Sequence, residues 1–154
     1  MPQPRPRTVE AVCGETDLPD QTDGFALRDR LVRLAQAVLR ADELAAHRAT
    51  FGAAEVYLKE VRYGVGELLQ IVDCGGWPSL ALVGRDGLDA ALIIAKAASV
   101  EEQVTLRRAL APAVRNGLVP EPHLVHLAAL IARASGTPID DADRFGPEAA
   151  DGAA

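Results

Sequence analysis

Apolar residues recur at helical spacing along most of this chain. Between Gly24 and Arg40, the residues Leu27, Leu31, Leu34, Val38 and Leu39 predict a first helix, with Asp23 as its N-cap. The segment Asp42 to Arg48 reads either as a continuation past a bend or as a short second helix. From about Ala53 to Cys74, the set Leu58, Val61, Val65, Leu68, Leu69 and Val72 predicts a long helix. Gly75-Gly76 ends it, because glycine tolerates the left-handed backbone of a C-terminal cap. Trp77-Pro78-Ser79 turns the chain, and Gly84 or Asp86 opens the next helix. Its run from Leu88 to Ala98 is apolar almost all round, the pattern of a helix buried among others.

Ser99-Val100-Glu101-Glu102 has the form of a capping box. The helix it starts carries Val104, Leu110 and Val114, ends at Asn116-Gly117, and should kink or split near Ala111 because of Pro112. Pro120-Glu121-Pro122 starts a last helix, with Leu124, Leu127, Leu130 and Ile131 as its buried stripe and Gly136 at its end. The expected fold is all-α: a single orthogonal or irregular bundle of about five to six helices around a buried central helix, over residues 23–136. Residues 1–22, rich in proline and acidic side chains and without periodicity, read as a flexible N-terminal arm. Residues 137–154 read as a loose acidic C-terminal tail.

Composition supports the helical reading. Only 4% of the residues are aromatic against 49% hydrophobic, so Ala, Leu and Val must fill the core, and two of these are strong helix formers. The net charge of −6 comes without any basic stripe, which speaks against nucleic-acid binding. No apolar run approaches the roughly 20 residues that span a bilayer, so no membrane partner is expected. The N-terminal stretch lacks the apolar segment of a secretory signal, which points to the cytoplasm. Cys13 and Cys74 are too few for a disulfide framework or a zinc site and read as plain thiols.

A set of short pieces between Val61 and Gly146 carries a family likeness. Leu68-x-x-Ile71-Val72 precedes Gly76-Trp77-Pro78; Val83-Gly84 and Asp86-Gly87 follow, then Ala90-Ala91 in the central helix. Gln103 with Arg108, Pro112-Ala113-Val114, Gly117, Leu127 and Gly136 complete the series. In order and spacing this resembles an uncharacterised bacterial family of small helical domains, a domain of unknown function, of which the chain looks like a divergent member. In that pattern the central helix reads Ala-Ala-Trp-Leu-Leu-x-Gln-His-Ala. Here Leu92 takes the tryptophan place and Lys96-Ala97 the Gln-His place. An Asp/Asn pair of the family falls on Val61 and Gly64, and an Asp-Arg pair on Ala129 and Leu130. The resemblance implies that polar groups between helices have been replaced by small or apolar ones.

Candidate chemistry is sparse. Lys96 is a lone cation near the end of the apolar helix, seven positions after Asp89 and so on its face. Buried, such a lysine could act as a base or Schiff-base nucleophile; the plainer reading is an ammonium reaching water from the last turn. Tyr57, Glu60 and Tyr63 stand three apart and could form a phenol–carboxylate cluster that moves a proton, with amphipathic boundary residues as the alternative. His123 and His126 share a face, but a third ligand and an HExxH motif are missing, so no metal and no cofactor are assigned. Gly64-Val65-Gly66 inside a helix marks a kink or a close approach, most simply of another helix. Trp77 reads as a pocket wall or a packing anchor.

Two functions fit. One is a small-molecule pocket protein, catalytic or not, in which the long, central and last helices enclose an apolar site. That site would take an apolar intermediate of specialised metabolism, in a cyclase- or isomerase-like reaction driven by shape. Lys96, Glu60 and Tyr57 would be its catalytic groups, and Tyr63, Gly64, Trp77, Asp89, Leu92, His126 and Leu130 would line it. The other is a non-catalytic interaction or dimerisation module, for example a homodimer, using an exposed apolar helix face.

Overall fold

A computed structural model describes residues 21–47 and 51–136 of the protein. It contains five helices: α1 (Gln21–His47), α2 (Phe51–Gly75), α3 (Leu80–Ala97), α4 (Val100–Arg115) and α5 (Glu121–Ser135). Among the described residues there is no strand, so the fold is all-α. The expected N-terminal arm, apart from its last two residues, and the acidic tail lie outside the described residues.

The apolar stripes account for most of these elements, and the differences are local. Asp23 is not an N-cap but lies within α1, which runs unbroken to His47. No glycine or proline interrupts the chain after Gly24, and the stripe continues through buried Val38 and Ala41, so the bend expected near Asp42 is absent. At the far end of α2, Gly76 takes φ 75° and donates to the Val72 carbonyl at 2.8 Å. α3 begins earlier than expected. Ser79 caps it by accepting from the Leu82 amide at 3.2 Å. Gly84 then breaks the rod with φ 67° and ψ −179°, a conformation that glycine adopts without a Cβ penalty.

Both bonds of the predicted capping box are formed at α4, between Ser99 and Glu102. Pro112 does not split this helix, which is continuous to Arg115. The proline cannot donate to the carbonyl four residues back, but buried Leu110, Ala111 and Ala113 hold both sides of it in the core. α5 starts at Pro120-Glu121-Pro122 as expected and ends on Gly136, at φ 68°.

α3 is the central helix, since it alone contacts each of the other four. It runs parallel to α1: Gly24 lies against Leu82, Arg28 bonds Asp86, and Val38 and Ile94 both flank Gly64. Gly64 therefore marks a close approach of three helices. A Cβ there would sit 3.3 Å from Val38 Cγ2 and 3.7 Å from Ile94 Cγ2. Gly66, two residues on, has nothing within 4 Å. α4 and α5 form a second hairpin against α3, and α2 shares contacts with α4 but none with α5. Leu31, Leu68, Leu88, Ile94, Leu106 and Leu127 are among the fully buried side chains of the single core cluster.

Gln103 is the one buried polar side chain of the core among the described residues. Its Nε2 donates to the carbonyls of Ala95 and Lys96, both at 3.2 Å, and so closes the C-terminal end of α3. Cys74, expected to be a thiol, is instead disulfide-bonded. The chain's other cysteine, Cys13, is outside the described residues. Pairing remote in sequence leaves no trace in local spacing, which is why the sequence did not reveal it.

Candidate functional site

The site expected between the long, central and last helices is not assembled as a single space. α2 and α5 do not touch, and they pack on different sides of α3. Ala95 is fully buried, whereas Leu92, Ala129 and Leu130 are half-buried. The residues singled out from the sequence are distributed over three places.

Glu60 and Tyr63 meet in a groove between α1 and α2. It has a volume of about 450 Å³ and is shared with Arg30, Arg33, Leu34 and Ala37. Arg30 pairs with Glu67 along the same groove. Tyr63 is 60% exposed, and Tyr57, one turn before Glu60, is half-buried and not part of this lining. The cluster therefore faces outward rather than into the core. Gly64 and Trp77 belong to the packing. Trp77 is 4% exposed within the core cluster, and its indole N–H finds no hydrogen-bond partner among the described residues.

Lys96, Asp89 and His126 gather on the outer face of α3 and α5. Lys96 is exposed, as the snorkelling alternative anticipated. Asp89 Oδ1 lies 3.5 Å from His123 Nε2, an ion pair only when the imidazole is protonated. Both ring nitrogens of His123 are buried without a hydrogen-bond partner among the described residues. The His126 pKa is held below its ordinary 6.5, first by desolvation and then by the charges of Lys96, Arg133 and His123. A shallow concavity beside His126 is lined by Glu121, Pro122, Val125 and Ala129. The described residues contain no group of three or more His, Cys, Asp or Glu that could hold a metal ion.

A third place was not anticipated. Where the N-terminal turns of α1 meet the first turn of α3, an open cleft of about 650 Å³ is lined by Phe25, Arg28, Ser79, Ala81, Leu82, Val83 and Gly84. Its walls come from local chemistry that can be traced residue by residue. Ser79 stops the turn after Pro78 and caps α3; Gly84 bends α3 away one turn later, and the bend leaves a hollow against α1. Gly24 lets α1 come close at this point, because a Cβ there would fall 2.5 Å from the Leu82 carbonyl oxygen. Phe25 is 66% exposed at the rim. Arg28 bonds Asp86 at 2.8 Å, and that hydrogen bond and charge hold the guanidinium still more firmly protonated. The sequence offered one signal for this cleft. Phe25 stands off the Leu27–Leu31–Leu34 stripe, an aromatic with no core position to fill.

Comparison with known proteins adds no assignment: no family model, curated protein or solved structure matches the chain. No helix among the described residues is long and apolar enough to cross a membrane.

Proposed function

We propose that this chain is a small-molecule-binding helical protein whose site is the cleft at the Gly84 bend. The observation that carries the reading is the cleft itself, about 650 Å³ and mostly apolar, with a few convergent polar groups. Ligand sites commonly occupy about 300–1,000 Å³ and combine apolar walls with a small number of orienting polar atoms. Phe25, Leu82 and Val83 would take an apolar body. The Ser79 hydroxyl already accepts from the Leu82 amide, so its own proton is left to donate to a ligand. Arg28, balanced by Asp86, would meet a hydroxyl or carbonyl better than it would bind a full anion.

The reading is one of binding rather than turnover. Lys96, Glu60 and Tyr57, the residues expected to be catalytic, line other surfaces, and Ser79 has no histidine or carboxylate beside it in the cleft lining. The family likeness fits a binding domain whose polar interior has become apolar, and it stays part of this proposal. The compartment is part of it too. A cytoplasmic location, expected from the sequence, sits poorly with the disulfide at Cys74, because disulfides persist mainly in oxidising compartments.

A thermal-shift screen of small cyclic alcohols, ketones and carboxylic acids tests the function. Hits from the neutral classes should raise Tm in the wild type. The Leu82→Trp variant, which fills the cleft, should abolish the shift, and Phe25→Ala should weaken it. Hits that stabilise Leu82→Trp as well as wild type would place binding elsewhere and overturn the proposal.

A further inference from the structure

The parallel pairing of α1 with α3 has a geometric consequence at the other end of the molecule. Residues 24 and 28 of α1 lie against 82 and 86, an offset of 58, and 38 lies beside 94, an offset of 56. By the same offset, Ala97 at the end of α3 is level with about residue 40 of α1. α1 continues to His47 and α2 begins at Phe51, so the end of the α1–α2 hairpin overhangs the central helix.

The core stripe of α2 continues into this overhang. Leu58 precedes buried Val65 and Leu68 by seven and ten residues and so lies on the same face of the helix. Val65 and Leu68 are 2% and 0% exposed, whereas Leu58 is 54% exposed, because α3 no longer reaches it. Leu39, Leu44, Val56 and Tyr63 are also largely exposed at or beyond the end of α3. With Leu58 they leave roughly 500 Å² of apolar side chain in water, near the top of what a monomer's largest patch shows.

We propose that this overhang is a homodimer interface, in which a second copy lays its own hairpin end against the first and completes a four-helix layer. Charge favours a second copy over another partner. The chain as a whole carries −6, yet described residues 39–63 contribute Arg40, Lys59 and Arg62 against Asp42, Glu43, Glu55 and Glu60. A two-fold interface brings each patch against itself, so it requires a patch of little net charge with both signs interspersed. The area is sufficient. Two such patches, with the flanking alanines and the stems of the charged side chains, reach the roughly 1,200 Å² at the lower end of specific interfaces. The proposal does not rest on the cleft, which lies at the opposite end of α1 and α3.

Sedimentation velocity of the full chain over a concentration series tests it, run with and without reductant so that a covalent species through Cys74 is separated out. The wild type should sediment as a dimer at about 100 µM in both conditions. Leu58→Glu and Val56→Glu should each raise the dimer dissociation constant at least about tenfold, with unchanged far-ultraviolet circular dichroism. Leu118→Glu, on an exposed residue of the α4–α5 connection, should not. If Leu58→Glu loses its helical signal, Val56→Glu decides alone. A monomeric wild type, a dimer lost on reduction, or a dimer indifferent to the hairpin variants would overturn the proposal.

Discussion

Gly64 and Gly66 stand two residues apart in α2, yet the packing predicts opposite responses to the same substitution. Glycine in a helix interior costs about 1 kcal/mol relative to alanine. At Gly66 the residue is exposed and an added Cβ meets nothing within 4 Å. Gly66→Ala should therefore stabilise by about 1 kcal/mol, or about 3–5 °C in Tm for a domain of this size. At Gly64 the new Cβ lies 3.3 Å from Val38 Cγ2, on a side chain 3% exposed that has little room to yield. Gly64→Ala should lose most of the propensity gain. Valine sharpens the contrast, because its two extra methyl groups enter the space between Val38 and the fully buried Ile94. Overpacking of this kind costs about 1–3 kcal/mol, while the helix propensity of valine is the same at both sites. The difference between Gly64→Val and Gly66→Val thus isolates the close approach of α1, α2 and α3. Urea unfolding followed by circular dichroism, with unchanged m-values, measures it. Equal stability of the two valine variants would refute the three-helix contact, and with it the placement of α3 at the centre.

Three further outcomes follow from the same structure. Gln103→Leu should destabilise by about 2 kcal/mol in urea unfolding, because the Ala95 and Lys96 carbonyls lose their donor; a variant as stable as wild type would show that water replaces it. The folded His126 pKa lies below its unfolded value of 6.5, so the unfolded chain binds more protons between the two values. Stability conferred by this residue should fall as pH drops below about 6.5 and level off once the folded pKa is passed. Lys96→Met should move the His126 pKa upward in an NMR titration, without restoring it fully because burial remains the first cause. Unreduced protein should take up no iodoacetamide at Cys74, and reduced protein should take it up there; labelling before reduction would contradict the disulfide.

The features legible in the sequence were those encoded locally. Helical stripes, the Ser99–Glu102 box, the glycine ends of α2 and α5 and the apolar all-round pattern of α3 each depend on a few neighbouring residues, and each is present. Gly64 was legible as a close approach but not as to its partners, since Val38 and Ile94 come from helices 26 and 30 residues away in the chain. The candidate site was much less legible. Lys96, Glu60 and Leu130 looked like lining groups for one pocket because each sits on an apolar helix, but pattern alone does not say that α2 and α5 flank α3 on separate sides. The cleft arises from a tertiary coincidence. A cap at Ser79, a bend at Gly84 and the bare backbone of Gly24 meet only because α1 runs parallel to α3.

The central claim, that ligand enters at the Gly84 bend, is tested most directly by a methyl-labelled ¹H–¹³C NMR titration with the strongest neutral hit of the thermal-shift screen. Saturable shifts should concentrate on Leu82 and Val83, with contacts to the Phe25 ring. Shifts centred instead on Leu92, Leu130 and Ile131 of α3 and α5, or absent from Leu82 and Val83 at saturation, would contradict it.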